Sequence, residues 1–171
     1  MMTVETFLLV PDTNVEVPLT LEQFNMKFIN IENKERYQEI QKIIKDSNGE
    51  YYYGFIKVTY NDHILFGEEF IDYLLIYWIA ITDLLYSFLE DEFVEMIVPG
   101  YEVKLSFTKI NNDVIKIKYG NDIFNVAKKE FIMKLLSGGK YFFENHILIT
   151  SSSKYQIILE KIYSMLKSLV D

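Results

Sequence analysis

The chain contains no cysteine. That removes disulfides, thiolate nucleophiles and sulfur-ligated metals, and it fits a reducing compartment. Histidine is nearly as scarce, with only His63 and His146. They lie far apart and no second ligand sits at helical spacing beside either, so no zinc or iron site is expected. Arginine occurs once, as Arg36, and lysine supplies the other positive charges. Arginine is the usual bidentate partner of phosphate and guanine, and the net charge is −8, so nucleic acid is not an expected partner.

The few glycines form no Gly-x-Gly-x-x-Gly fingerprint. Ser137-Gly138-Gly139-Lys140 is followed by Tyr141 where a phosphate loop needs Ser or Thr, and a helical pattern precedes it instead of a strand. No Gly-x-Ser-x-Gly elbow is present. No catalytic residue and no cofactor is therefore assigned. An enzyme with an unmarked polar site stays open as an alternative, and its sign would be a cleft lined by Asp83, Tyr77 or His63.

A bilayer-spanning run is missing too. Residues 70–89 are the most apolar stretch, and twenty helical residues rise about 30 Å. Asp72 and Asp83 interrupt it, acidic residues flank it, and no basic cluster orients it. It reads as the central buried helix of a soluble domain, with Asp72, Asp83, Ser87 and Glu90 on a narrow wet stripe. The N-terminus has no basic region before an apolar stretch, so no signal peptide is expected and the cytoplasm is the expected location.

Half of the residues are hydrophobic, enough for a sizeable core in one domain over 1–171. Tyr and Phe are abundant alongside Lys, Ile and Asn, a joint bias that AT-rich coding produces, so aromatic content alone is not read as function.

The fold class is α+β: antiparallel hairpins and a three-stranded meander packed against a long central helix and C-terminal helices. Residues 1–50 form a β-rich segment plus a helix; residues 51–171 carry a hairpin, the central helix, the meander and the C-terminal helices. Val4 to Val10 is expected to pair with an edge strand of Val15, Val17, Leu19 and Leu21, whose outer face carries Pro18. Phe24, Met26 and Phe28 suggest a third strand. A helix over Asn33 to Asp46 stops at Ser47-Asn48-Gly49. Tyr52 to Tyr60 turns at Asn61-Asp62-His63 into Ile64-Leu65-Phe66. The central helix is expected from about Glu68 to Glu92. Residues 101–126 alternate strongly and turn at Asn111-Asn112-Asp113 and Gly120-Asn121-Asp122. A helix from Ala127 is expected to break or kink at Ser137-Gly138-Gly139. The last helix follows Ser151-Ser152-Ser153, with Ser153 and Gln156 as a capping box and an apolar face that packs on the sheet.

The densest acidic run is Glu90, Asp91 and Glu92 with Glu95, set among Phe88, Leu89, Phe93 and Val94. It reads either as a charged surface turn or as an acidic patch for a basic protein. These four are the candidate binding residues.

Gly54-Phe55-Ile56-Lys57-Val58, Ile64-Leu65-Phe66-Gly67-Glu68, the helix with Trp78, Val103 to Phe107, Asp113 to Ile117, and Phe124-Asn125-Val126-Ala127 leading to Phe131 and Phe142-Phe143 occur in a familiar order. Over residues 54–143 the chain resembles small bacterial α+β proteins, some of the toxin-immunity type. The resemblance implies a non-enzymatic protein that masks a toxin's active surface, and it carries over no catalytic residue. Self-association through the last helix or an N-terminal edge strand is the competing expectation.

Overall fold

A computed structural model of the chain describes residues 1–15 and 19–169. It is α+β, with two antiparallel sheets joined through a helical layer. The first sheet is built from β1 (Met2–Leu9), β2 (Phe28–Asn30), β3 (Tyr53–Tyr60) and β4 (His63–Phe66) in the order β2-β1-β3-β4, with β5 (Asp72–Tyr73) also paired to β3. The second is a meander of β6 (Phe93–Ile97), β7 (Lys104–Lys109), β8 (Val114–Tyr119) and β9 (Asp122–Ala127) in sequence order.

The N-terminal strand is central to its sheet. β1 pairs β3 from Met2↔Tyr60 to Leu8↔Gly54 and pairs β2 on its other side. The Met2 amide donates to Glu130 Oε1 at 2.9 Å. The expected partner strand around Val15 to Leu21 is not what flanks β1. Glu16–Pro18 lie outside the described residues, and Leu21 begins a helix, α1 (Leu21–Lys27). Thr20 and Gln23 form a reciprocal capping box that winds this segment, so Phe24 and Met26 are helical and only Phe28 enters a strand. Phe24 then packs with Phe7, Phe28 and Phe55 in a small second core behind the sheet.

A short 3₁₀ turn at Lys34–Arg36, capped by Asn33, leads into α2 (Tyr37–Asp46), which buries Ile40, Ile43 and Ile44. The stop comes where expected: Asn48 and Gly49 have φ of 54° and 71°, and the Gly49 amide donates to the Ile44 carbonyl at 2.8 Å. The β3–β4 hairpin turns through Asn61 and Asp62, both with positive φ, the two-residue geometry that matches strand twist.

The central helix, α3, runs Leu74–Glu90, shorter at its start than expected. Asp72 and Tyr73 pair with β3, and Asp72 Oδ1 accepts the Tyr73 amide at 2.6 Å, a local bond that competes with helix. Glu68, Glu69 and Asp72 therefore precede the helix and do not complement its N-terminus. No described helix is long and apolar enough to cross a membrane. α3 buries Leu74, Leu75, Tyr77, Trp78, Ile81, Leu84, Leu85 and Phe88.

The meander gains a fourth strand, β6, and α4 (Lys128–Thr150) runs unbroken through Gly138-Gly139. The glycines serve packing here. A Cβ on Gly138 would sit 2.9 Å from Val4 Cγ1 and 3.0 Å from the Trp78 ring, and one on Gly139 would sit 3.2 Å from that ring. Missing side chains let the indole lie against the helix, and burial of the ring outweighs the roughly 1 kcal/mol that each helical glycine costs. α5 (Gln156–Ser168) forms without the Ser153 capping box; no side chain caps it, and the Gln156 amide donates to the Ser153 carbonyl at 3.0 Å. Its buried face of Leu159, Ile162 and Met165 packs on α4 and α3, not on a sheet. The core is continuous, with Phe107 of the meander edge-on to Phe88 of α3 and Phe131 of α4.

Candidate functional site

The four acidic candidates fall on one short path. Glu90 is the last residue of α3, Asp91 is its C-cap, Glu92 opens the ladder to β7, and Glu95 lies mid-β6. All four are exposed. The helix ends because Asp91 turns to extended backbone (φ −95°, ψ 154°) while its amide still reaches the Ser87 carbonyl at 2.9 Å.

The charges at this end are uneven. Glu95 is paired with Lys104 across the β6–β7 ladder at 2.7 Å, an exposed bridge worth about 0–1 kcal/mol. Lys109 reaches the Leu89 carbonyl at 3.5 Å, with its ammonium 5.4 Å from the Phe88 ring centre. Among the described residues Glu90, Asp91 and Glu92 have no ion-pair partner.

β6 adds two apolar residues to the acids. Phe93 and Ile97 are 55 % and 65 % exposed and flank Glu95 on the same face, while Val94 faces the core. The signal was present in the sequence as the alternation Phe93, Glu95, Ile97 against Val94, Met96, Val98, stopped by Pro99-Gly100. It was masked by the charge of Glu90 to Glu95, which reads as a turn.

Beside β6 runs an open groove of about 450 Å³, lined by Ala80, Asp83, Leu84 and Ser87 of α3 and by Val94, Glu95 and Met96. Asp83 is therefore brought next to Glu95, one of the four candidates. It is exposed and paired with Lys161 of α5 at 2.7 Å. It does not meet Tyr77, which is buried, or His63, which is exposed in the β3–β4 hairpin. Of the three residues named for an unmarked polar site, Asp83 alone lines this open groove.

His146 lies late in a helix and is buried there. It sits in α4, 1 % exposed, with Nδ1 2.9 Å from the Tyr52 hydroxyl and its ring edge-on to Tyr155. Burial pushes the imidazole down to about 4, and the Glu50 carboxylate offsets only part of that. Burial likewise pushes the Tyr52 phenol up. Glu50 itself is held down, chiefly by its hydrogen bond from Lys154.

The pair is a structural lock with a pH signature. The folded state holds His146 neutral where the unfolded chain, with a value of 6.5, binds a proton. Stability is then full above pH 6.5 and falls as pH drops from 6.5 to about 4, by on the order of 3 kcal/mol. Urea midpoints should show this fall, and a His146→Leu variant, which has no ring to charge, should lose less between about pH 7 and pH 5. An identical loss in both proteins would place the acid sensitivity in the carboxylates instead.

No protein-family model matches the chain, and no curated protein or solved structure is significantly similar to it.

Proposed function

We propose that this chain is a non-enzymatic protein-binding module that masks a basic partner in the cytoplasm, in the manner of a bacterial immunity protein. The observation that carries the reading is the position of Glu90, Asp91 and Glu92. They stand at the negative end of the α3 dipole, where an anion costs about 0.3–1 kcal/mol and a cation would be favoured. Nothing among the described residues neutralises them. A local rule broken without a gain to the fold marks a place kept for another purpose. Phe93 and Ile97 beside them supply apolar contact area at the rim of the charge, the make-up of a protein interface. The net charge of −8 favours fast encounter with a basic protein.

An affinity pull-down from a lysate of the source organism, read by mass spectrometry, tests the reading. One stoichiometric basic partner is expected, released as salt rises from about 0.15 M to 1 M, because screening shortens from about 8 Å to 3 Å. A partner retained unchanged at high salt, or none, would sink it. Self-association is the second reading, favoured by Leu148 and Ile157, which are 70 % and 71 % exposed near the α4–α5 connection. A dimer by light scattering would support it.

A further inference from the structure

We propose that the free edge of β6 receives an extended, lysine- or arginine-bearing segment of the partner as an added β-strand. This rests on the masking reading above and specifies how the partner is held. The hydrogen bonds from the Lys109 amide to the Glu92 carbonyl and from the Val98 amide to the Val103 carbonyl, both 2.8 Å, set the phase of the ladder. Residues 92, 94, 96 and 98 turn their amides and carbonyls toward β7, so Phe93, Glu95 and Ile97 turn theirs away from it. Among the described residues no strand pairs with that side.

An open edge of this kind is normally blunted by charged side chains, lysine above all, by proline or by a bulge, and β6 carries only the charge of Glu95, which Lys104 pairs. Phe93–Ile97 contains neither lysine nor proline, and its register with β7 is unbroken. The other edges differ. Arg36 Nη1 caps the Phe28 carbonyl of β2 at 3.4 Å, and the β3–β4 register shifts between Val58 and Thr59. The outward residues of β9 are Ile123, Asn125 and Ala127, with no carboxylate among them to select a partner. Of these edges, β6 alone borders the open groove lined by Asp83 and Ser87 of α3.

Charge decides the occupant. A second copy pairing β6 with β6 about a two-fold axis at Glu95 sets Glu95 opposite Glu95, and like charges directly opposite are destabilising; each Glu90–Glu92 run then faces Val98 to Gly100 of the other copy and finds no cation there. A strand with a cation opposite Glu95 and apolar residues opposite Phe93 and Ile97 removes the conflict and adds main-chain hydrogen bonds.

The probe is a fluorescent heptapeptide, Lys-Val-Thr-Lys-Thr-Val-Lys, titrated into the full chain by anisotropy. Two peptide controls accompany it: one with glutamate at the central position, and one N-methylated at the alternate backbone nitrogens that would face β6. Both should bind at least about tenfold more weakly. In the protein, Ile97→Pro removes an outward amide and should weaken binding about tenfold, while Ile97→Ala, which keeps that amide, should cost less than about threefold. The N-methylated peptide decides the matter even where the proline variant folds poorly. Equal binding of the N-methylated peptide would overturn strand addition and leave charge alone as the contact. No binding of the probe would overturn it too, and a salt-sensitive partner in the pull-down would still leave the masking reading standing. A dimer that Ile97→Pro dissociates would assign the edge to a second copy and overturn the proposal.

Discussion

Replacing Gly54 with alanine is expected to remove a large part of the protein's stability, about 4 kcal/mol or above. Gly54 lies inside β3, between Leu8 of β1 and Asp72 of β5. A Cβ there would fall 2.1 Å from the Phe7 carbonyl oxygen and 3.1 Å from Leu74 Cδ2. The first contact is with backbone, and that backbone is held. β1 is paired on both sides, and Phe7 stacks on Phe55 with ring centres 5.0 Å apart. Ordinary overpacking costs about 1–3 kcal/mol. Shifting a central strand off its partner costs more, about 4 kcal/mol or above, against a total stability of about 5–15 kcal/mol. Urea denaturation checks the size. Gly67→Ala is the control, because its nearest neighbour would be a side-chain atom at 3.4 Å, and it should stay within about 1 kcal/mol of the parent. A parent-like midpoint for Gly54→Ala would mean that β1 yields far more easily than its two partners imply.

The second large effect is on binding. Changing Glu90, Asp91, Glu92 and Glu95 together to lysine should abolish capture of the partner, a loss above about a hundredfold, with little change in melting temperature. The stability side follows from the helix end. Lysine at 90 to 92 replaces anions that oppose the α3 dipole with cations that suit it, a gain of about 0.3–1 kcal/mol at each position near the last turn. Lysine at 95 loses the exposed bridge to Lys104 and sets two ammonium groups near each other, a loss of similar size. The two terms oppose each other, so the melting temperature should hold or rise slightly. Capture by the quadruple variant equal to the parent's would remove the acidic run from the account of function. A large drop in melting temperature would show instead that these side chains serve the fold.

Much of the fold was legible because period and punctuation agreed. Val103 to Val126 alternates with turn residues between its strands, and the strands lie where that pattern put them. The last helix carries its apolar spacing through Leu159, Ile162 and Met165. The failures share a cause: local chemistry with two meanings. Thr20 and Gln23 wind a helix where alternation suggested a strand, and Gly138-Gly139 stop nothing because Trp78 fills the space they leave. The same ambiguity hid the site. The carboxylates were visible, but the unpaired edge beside them depends on which strands find partners, and that information is spread over the whole chain.

The central place of β1 has a consequence during synthesis. Met2 to Leu8 leaves the ribosome well before its partners, residues 54–60 and Glu130, which holds the Met2 amide. At about 5–20 residues per second, translation needs roughly 6–26 s to cover the 128 residues that separate Met2 from Glu130. Through that interval an apolar strand destined for the middle of a sheet waits without its helix. Nascent chains of this protein should therefore call on a holding chaperone early and release it only once α4 has left the tunnel.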